Sequence, residues 1–175
     1  MTASNSIGVE QDPQAAVPEQ LPSQIAGEIP SKIPGDIPAS LLQLRLQVSV
    51  NEEHVYLSIM FKGGQVLDLG ERNHHSCLLT LARQRLSDAQ RGIAPSSQGW
   101  LDSKQLASML GLDSGNLAIQ LHRLRQQIAR ALPSGMPPGE VVERRRAQLR
   151  IGTLPFCIVR GSIVEGEFIV PPQPG

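Results

Sequence analysis

Strict alternation of apolar and polar residues marks the start of the patterned part of the sequence. In LLQLRLQVSVN, every second residue from Leu42 to Val50 is apolar and those between them are polar. VYLSIMF repeats this alternation after the polar residues 51–54, and Gly63-Gly64 separates it from QVLDL. A period of two is typical of strands with one buried face, and glycine pairs accept the positive φ of hairpin turns. The pattern predicts a three-stranded antiparallel sheet over residues 41–69.

The apolar spacing then changes to that of a helix. Between residues 74 and 91 the apolar positions recur every three or four residues, at Leu78, Leu79, Ala82, Leu86 and Ala89. This predicts a first helix capped by Asn73 or Ser76 and ended by the loop GIAPSSQG. Trp100, the only tryptophan, follows the loop, and we expect it to be a core or hinge anchor.

Two further helices are predicted between residues 102 and 132. Asp102 with Gln105 three positions later is typical of a capping box, and Gly111 is placed to end that helix in a left-handed conformation. Asp113 or Ser114 then caps a longer helix that reaches about Leu132, because proline follows it. The three helices together occupy residues 74–132.

Short β-like segments complete the patterned chain. EVVERR, AQLRIG and FCIVRG cover residues 140–145, 147–152 and 156–161, and IVEGEFIV is a candidate for one more hairpin. The expected fold is therefore α+β, with an N-terminal antiparallel β-sheet (41–69), three helices and a C-terminal β-hairpin (140–161). This single domain would span residues 41–170, after a disordered tail (1–40) and before a frayed end (171–175).

The spacing of small and apolar residues in the second and third helices is typical of a helix-turn-helix. Gly111 follows Ala107 by four positions, and Leu117 follows Gly111 by six. A small residue lets the second helix approach closely, the glycine makes the turn, and the leucine fills the angle between the helices. By itself the pattern is only moderately specific, because three-helix cores also show it by chance.

The third helix separates into an apolar stripe and a polar arc. At about 100° per residue, Leu117, Leu121, Leu124 and Ile128 share one side. Because the N-terminal half of a recognition helix usually contacts bases, we nominate base-contact candidates there. These are Ser114, Asn116, Ile119, Gln120 and Arg123. Gln127 and Arg130 are candidates for the DNA backbone. The alternative is an ordinary solvated helix surface.

Arginines cluster at the predicted hairpin. Arg144, Arg145 and Arg146 are consecutive, and Arg150 lies on the returning strand. Arginine at the tip of a hairpin can enter a minor groove or contact phosphate, so all four are candidates for the DNA backbone. The alternative is that they form weak surface pairs with Glu143.

This order of elements resembles the winged helix-turn-helix DNA-binding domains of OmpR-type response regulators. The resemblance covers about residues 41–161 and includes the stretch GQVLDLGERNHHSCLLTLARQRL. WLDSKQLASMLGLDSGNLAIQLHRLRQQIARAL and VVERRRAQLRIG are also similar to winged-helix segments of bacterial proteins that carry forkhead-associated domains. The resemblance implies a bacterial transcriptional regulator. We expect no receiver domain, because 40 residues are too few for one.

Charge is distributed unevenly along a chain whose formal net charge is zero. Residues 1–40 contain five acidic residues and one lysine, whereas residues 41–175 contain fifteen basic and eleven acidic residues. The basic part suits an anionic partner. In the tail, QLPS, QIAG, EIPS, KIPG and DIPA form five related tetrads. They are a spacer, or a strip over residues 20–39 that docks onto a partner protein. A further alternative is that the acidic tail covers the basic face.

No set of residues indicates catalysis. His74, His75 and Cys77 fit no standard zinc spacing, and the glycines form neither a Walker loop nor a dinucleotide fingerprint. We therefore expect no enzyme activity, no metal and no cofactor. No secretory signal is evident, so Cys77 and Cys157 are expected as buried thiols in a reducing cytoplasm. No apolar run reaches the roughly 18–20 residues of a membrane span.

The sequence thus favours a cytoplasmic protein that binds double-stranded DNA sequence-specifically through the third helix and the arginine-rich wing. Its expected partners are DNA, a protein bound by residues 20–39 and a second copy in a homodimer, with no membrane. The alternative is a non-catalytic adaptor in which the winged helix and the tail dock onto partner proteins.

Overall fold

The computed structural model describes residues 41–132 and 141–169, which contain three helices and eight strands in a mixed α+β arrangement. The elements in chain order are β1 (Leu41–Val48), β2 (Val55–Phe61), β3 (Val66–Glu71), α1 (His75–Gln90), β4 (Leu101–Asp102), α2 (Ser103–Met109), α3 (Ser114–Ala131), β5 (Val142–Arg145), β6 (Gln148–Ile151), β7 (Phe156–Arg160) and β8 (Ile163–Phe168). The predictions for the tail (1–40), the proline-rich segment after α3 and the frayed end (171–175) lie outside the described residues.

The first sheet has five strands in the order β3-β2-β1-β7-β8. The antiparallel pairing of β1, β2 and β3 is confirmed. The buried side chains of the first two strands are Leu44, Leu46 and Val48 of β1 and Val55, Leu57, Ile59 and Phe61 of β2. The sequence placed residues 156–161 in the wing, whereas the structure places β7 parallel to β1, with Leu44 opposite Phe156. Phe156 and Ile158 are fully buried there, which an exposed wing could not provide.

The second sheet contains the hairpin in the order β4-β6-β5. Strands β5 and β6 pair from Val142–Ile151 to Arg145–Gln148, and the turn between them holds Arg146 at a φ of 52°. The two residues of β4 pair with β6 on its other side. The hairpin therefore covers residues 142–151, and its β6 strand also pairs with the segment that leads into α2.

The helix boundaries agree with the sequence except at one cap. The N-cap of α1 is His74, whose side chain makes no capping hydrogen bond, so the predicted caps Asn73 and Ser76 are wrong. Backbone carbonyls of the preceding turn accept the first helical N–H groups instead, with Arg72 O 2.9 Å from His75 N. Asp102 caps α2 and Asp113 caps α3, both through side-chain oxygens that accept backbone N–H bonds.

One buried arginine ties α1 to the second sheet. Arg85 is 2% exposed, and its guanidinium donates to the backbone oxygens of Ile151 (2.9 Å) and Gly152 (2.6 Å). It also lies 4.0 Å from the ring centroid of Phe168, and burial lowers its pKa to about 10. Because these carbonyls lie at the end of β6, α1 fixes the base of the hairpin.

None of the helices within the described ranges is long and apolar enough to cross a membrane.

Candidate nucleic-acid interface

The turn between α2 and α3 buries the small residue and the leucine of the sequence pattern and has its glycine in a left-handed conformation. Ala107 and Leu117 are each 3% exposed, and Gly111 has a φ of 64°. The N–H of Leu112 donates to the carbonyl of Ala107 at 2.9 Å, which closes the turn on α2. A residue with a Cβ would be strained at the conformation of Gly111, so the glycine allows the tight change of direction.

The apolar stripe of α3 faces the core as expected. Leu117, Leu121, Leu124 and Ile128 are at most 6% exposed. Of the base-contact candidates, Ser114, Asn116 and Arg123 are exposed, Ile119 is 49% exposed and Gln120 is half-buried. The nominated arc therefore lies partly in solvent and partly against the protein.

The exposed side of α3 is centred farther from the core stripe than the sequence suggested. Ala118, His122 and Gln126 are exposed together with Arg123 and Arg130. The first three are not among the DNA-contact candidates, because the sequence analysis took these from the polar residues on the arc beside the leucine stripe. Exposure depends on which flank of the helix is covered by neighbouring elements, and helical periodicity alone does not give this.

Asp113 orders the N-terminus of α3. Its side-chain oxygens accept the backbone N–H of Asn116 at 2.8 Å and the amide Nδ2 of the same residue at 2.7 Å. These bonds lower the pKa of Asp113. The Asn116 amide is thus held in one orientation, with its carbonyl oxygen available as an acceptor.

Gln127 belongs to the interior rather than to the exposed surface. Its Oε1 accepts from His74 Nε2 (2.6 Å) and His75 Nε2 (2.8 Å), and its Nε2 donates to the carbonyl of Leu69 (2.8 Å). This Gln127 network, formed by Gln127, His74, His75 and Leu69, joins α3 to the end of β3 and the start of α1. Gln127 is therefore not among the residues offered to a phosphate.

Burial is the largest influence on the pKa of each of the two histidines. Desolvation lowers the pKa of both His74 and His75, and the Gln127 carbonyl only partly offsets it. Neighbouring positive charge also lowers both: Arg72 acts on each ring, and Arg123 of α3 acts on His74. Arg123 therefore lies near the connection between β3 and α1.

The four hairpin arginines divide into two kinds. Arg144, Arg145 and Arg146 are exposed at the tip. Arg150 has a side chain only 11% exposed, and it pairs with Glu143 at 2.6 Å. The alternative of pairing with Glu143 thus describes Arg150, and this residue is not offered to a DNA backbone.

Hairpin and α3 are close enough for their charges to interact. Burial lowers the pKa of Arg125 on α3, and the positive charge of Arg144 on β5 lowers it further. Arg125 is not among the DNA-contact candidates, because no sequence pattern shows that the hairpin lies beside the side of α3 that carries it. The Arg144 end of β5 therefore lies near Arg125 of α3.

The excess positive charge of the described chain is confined to this region. Residues 101–132 and 141–151 contain eight arginine or lysine side chains against three carboxylates, whereas the remaining described residues contain seven of each. Among the salt bridges formed within the described ranges, Arg150–Glu143 is the one that lies in this region. The region therefore presents arginines with little local neutralisation, as an anion-binding surface requires.

The neighbouring histidines and cysteine are not assembled as a metal centre. Within residues 41–132 and 141–169, no three His, Cys, Asp or Glu side chains are grouped to hold an ion. His74 and His75 are hydrogen-bonded to Gln127, and burial raises the pKa of the Cys77 thiol to about 11. Cys77 and Cys157 are both free thiols, the first buried and the second half-buried.

Comparisons with protein-family models, with curated proteins and with solved structures found no match to this chain.

Proposed function

We propose that this protein binds double-stranded DNA, with α3 in the major groove and the β5–β6 hairpin against the backbone. The observation that carries the proposal is the confinement of the excess positive charge to α2, α3 and the hairpin, with exposed arginines on the last two. Phosphate contacts supply most of the affinity of proteins for DNA. A helix and a hairpin that carry such charge side by side could contact a groove and its flanking strand together.

The exposed side of α3 has the chemistry for contact with base edges. Small residues, Gly115 and Ala118, leave room for close approach. Asn116 can accept from adenine, Arg123 can bridge the acceptors of guanine, and the half-exposed Ile119 can contact a thymine methyl group. Arg130 lies in the last turn of α3, where contact with a phosphate is more favourable than contact with a base.

The order of elements supports a winged-helix protein of the OmpR-like type. A sheet precedes three helices, the turn between α2 and α3 is tight, and a hairpin with an arginine-rich tip follows. The addition of β7 and β8 to the first sheet ties the end of the domain to its beginning. A role as a bacterial transcriptional regulator is part of this proposal.

Selection from random-sequence duplexes with the full-length chain tests the function directly. We expect enrichment of a short motif, and a gel shift on that motif that weakens at higher salt. A variant with Arg123→Ala, Arg144→Ala and Arg146→Ala should enrich nothing, and its unfolding temperature shows whether it remains folded. If the wild-type chain fails to shift any duplex at low salt, the proposal is wrong.

An adaptor function is the second candidate, because one end of the first sheet exposes aliphatic side chains. Val50, Ile163 and Val164 are 80%, 72% and 63% exposed, and Val50 lies beside Gly161 in the neighbouring turn. Clustered exposed aliphatic residues indicate contact with another protein. The adaptor function would be favoured by a partner protein that still co-purifies with the wild type after nuclease treatment but does not co-purify with the Ile163→Ser variant. Loss of every partner on nuclease treatment would favour DNA.

A further inference from the structure

Two of the hairpin arginines lie against the only tryptophan. The guanidinium carbons of Arg145 and Arg150 are each 4.5 Å from the centroid of the Trp100 ring. At this distance a guanidinium is attracted to the face of an indole. Trp100 was expected as a core or hinge anchor; it is half-buried, so it is not a core residue. We call Trp100, Arg145 and Arg150 the tryptophan clamp.

Hydrogen bonds hold the clamp against the loop that follows α1. The indole Nε1 donates to the carbonyl of Ser96 at 3.1 Å, and the guanidinium of Arg150 donates to the same carbonyl at 3.1 Å. Glu143 of β5 accepts from Arg150 at 2.6 and 2.8 Å, and Gln148 of β6 accepts from Arg145 at 2.9 Å. Each of the two guanidinium groups therefore contacts the indole ring and donates to an acceptor within the hairpin.

The clamp is connected directly to the helix-turn-helix. Trp100 precedes β4, whose two residues pair with Leu149 and Gln148 of β6. The next backbone N–H, that of Ser103 at the start of α2, donates to the carbonyl of Ala147 in the hairpin turn at 2.8 Å. The angle of the hairpin relative to α2 and α3 is thus fixed at Trp100 and at the hairpin turn.

Arg144 and Arg146 are the two hairpin arginines outside the tryptophan clamp. Both are exposed, as Arg145 also is, but the bond found for Arg144 within the described residues is to the carbonyl of Arg146 in its own turn, at 3.3 Å. Arg146 occupies the turn at a φ of 52°, and its side chain is exposed. Their charges are free to meet a phosphate.

We propose that Trp100, Arg145 and Arg150 position the hairpin, and that Arg144 and Arg146 are the hairpin residues that contact the DNA backbone. This proposal rests on the proposed function and assigns separate roles to arginines that are adjacent in sequence. Its consequence is that equal losses of charge at adjacent positions have unequal effects on DNA binding.

The salt dependence of binding distinguishes the two roles. Affinity of the full-length chain for a labelled duplex is measured by fluorescence anisotropy over a range of salt concentrations. Arg146→Gln should reduce the slope of log K against log salt by about 0.9, because one phosphate contact is lost. Arg145→Gln removes the same charge from the neighbouring residue, and the slope should remain that of the wild type while the affinity falls. Equal changes of slope in the two variants would overturn the proposal.

Replacement of the ring tests positioning without a change of charge. Trp100→Leu should weaken binding about tenfold, because both guanidinium contacts with an aromatic face are lost. Trp100→Phe retains an aromatic face and should bind within about twofold of the wild type. If both variants bind equally, the ring does not position the hairpin.

Tryptophan emission tests the clamp in the absence of DNA. Because Trp100 is the only tryptophan, Arg145→Gln and Arg150→Gln should shift the emission to longer wavelength and increase its quenching by acrylamide. Arg144→Gln and Arg146→Gln should leave both unchanged. Unchanged emission in the first pair would contradict the clamp. If the wild type binds no DNA, the proposed function and the assignment of Arg144 and Arg146 fail, and the emission still decides the clamp.

Discussion

Arg123 is the side chain of α3 that is best suited, by chemistry and position, to the proposed contact with a base edge. It is exposed in the middle of the helix. Arg123→Ala should reduce the preference for the selected motif over a scrambled duplex by about tenfold, the order expected for loss of one bidentate base contact. Competition binding with the two duplexes measures this ratio.

Arg130 provides the matched control for Arg123. Arg130→Ala removes the same charge from the last turn of α3 and should weaken both duplexes by a similar factor. A preference that survives Arg123→Ala, or one that disappears with Arg130→Ala, would contradict the assignment of base and backbone roles on α3.

The two buried histidines make the stability of the fold depend on pH. Their pKa values in the folded protein are below the ordinary value of 6.5, so the unfolded chain takes up protons first as the pH falls. The free energy of unfolding should therefore decrease as the pH drops below about 6.5. Urea denaturation at pH 7.5 and at pH 5.5 measures the change.

Gln127→Glu isolates the contribution of the histidine pair. A carboxylate in place of the amide raises the pKa of both histidines, so the variant should lose less stability than the wild type between pH 7.5 and pH 5.5. Comparison of the two proteins cancels the groups that titrate elsewhere in the chain. The same loss in both would mean that His74 and His75 do not govern this pH dependence.

Sequence patterns predicted the residues whose roles depend on local structure, but not those whose partners are distant in the chain. The leucine stripe of α3 and the caps Asp102 and Asp113 follow from local rules, and the structure confirms them. Gln127 and Arg150 have the polar character of surface residues, yet their side chains are hydrogen-bonded to distant segments. Those partners are brought close only by the complete fold, so the sequence could not separate these residues from free contacts.

At the scale of elements, strand pairing was predictable between neighbouring strands but not between distant ones. Alternation of side chains predicted β1, β2 and β3, and hairpin connections fixed their antiparallel order. The apolar content of FCIVR indicated a strand, but its partner is β1, more than a hundred residues earlier. Nothing in the local pattern of β7 specifies a parallel partner. The local pattern therefore predicted that β7 belongs to the neighbouring hairpin, because strands adjacent in sequence are usually adjacent in space.

The two glycine turns that flank α2 should differ in their tolerance of substitution. Gly111 and Gly99 both have positive φ, but a methyl group on Gly111 would meet no described atom within 4 Å. A methyl group on Gly99 would lie 2.9 Å from Arg85 Cβ and 3.3 Å from its Cα. We expect Gly111→Ala to cost about 1 kcal/mol from backbone strain, and Gly99→Ala to cost about 3 kcal/mol because α1 must also shift.

Urea unfolding of both variants tests this difference. The substitutions are identical and both backbones are left-handed, so each serves as the control for the other. Equal losses of unfolding free energy would show that the loop before Trp100 does not pack on α1 as the structure describes. The result bears on the hairpin as well, because the same loop carries the tryptophan clamp.

At the scale of the whole molecule, charge divides the described chain into two unequal parts. The five-stranded sheet and α1 use many of their charges internally, as in the pairs of Arg83 with Glu52 and Glu165. The part that contains α2, α3 and the hairpin leaves most of its arginines exposed. The fold therefore supports one basic surface on an otherwise balanced scaffold.

The dependence of DNA affinity on salt tests the central claim most directly. For the full-length chain and a labelled duplex, log K should fall linearly with log salt, with a slope of about −0.9 for each phosphate contacted. Arg144→Gln combined with Arg146→Gln should make this slope shallower by about two contacts. Absence of binding at low salt, or binding that does not respond to salt, would contradict the assignment of this surface to DNA.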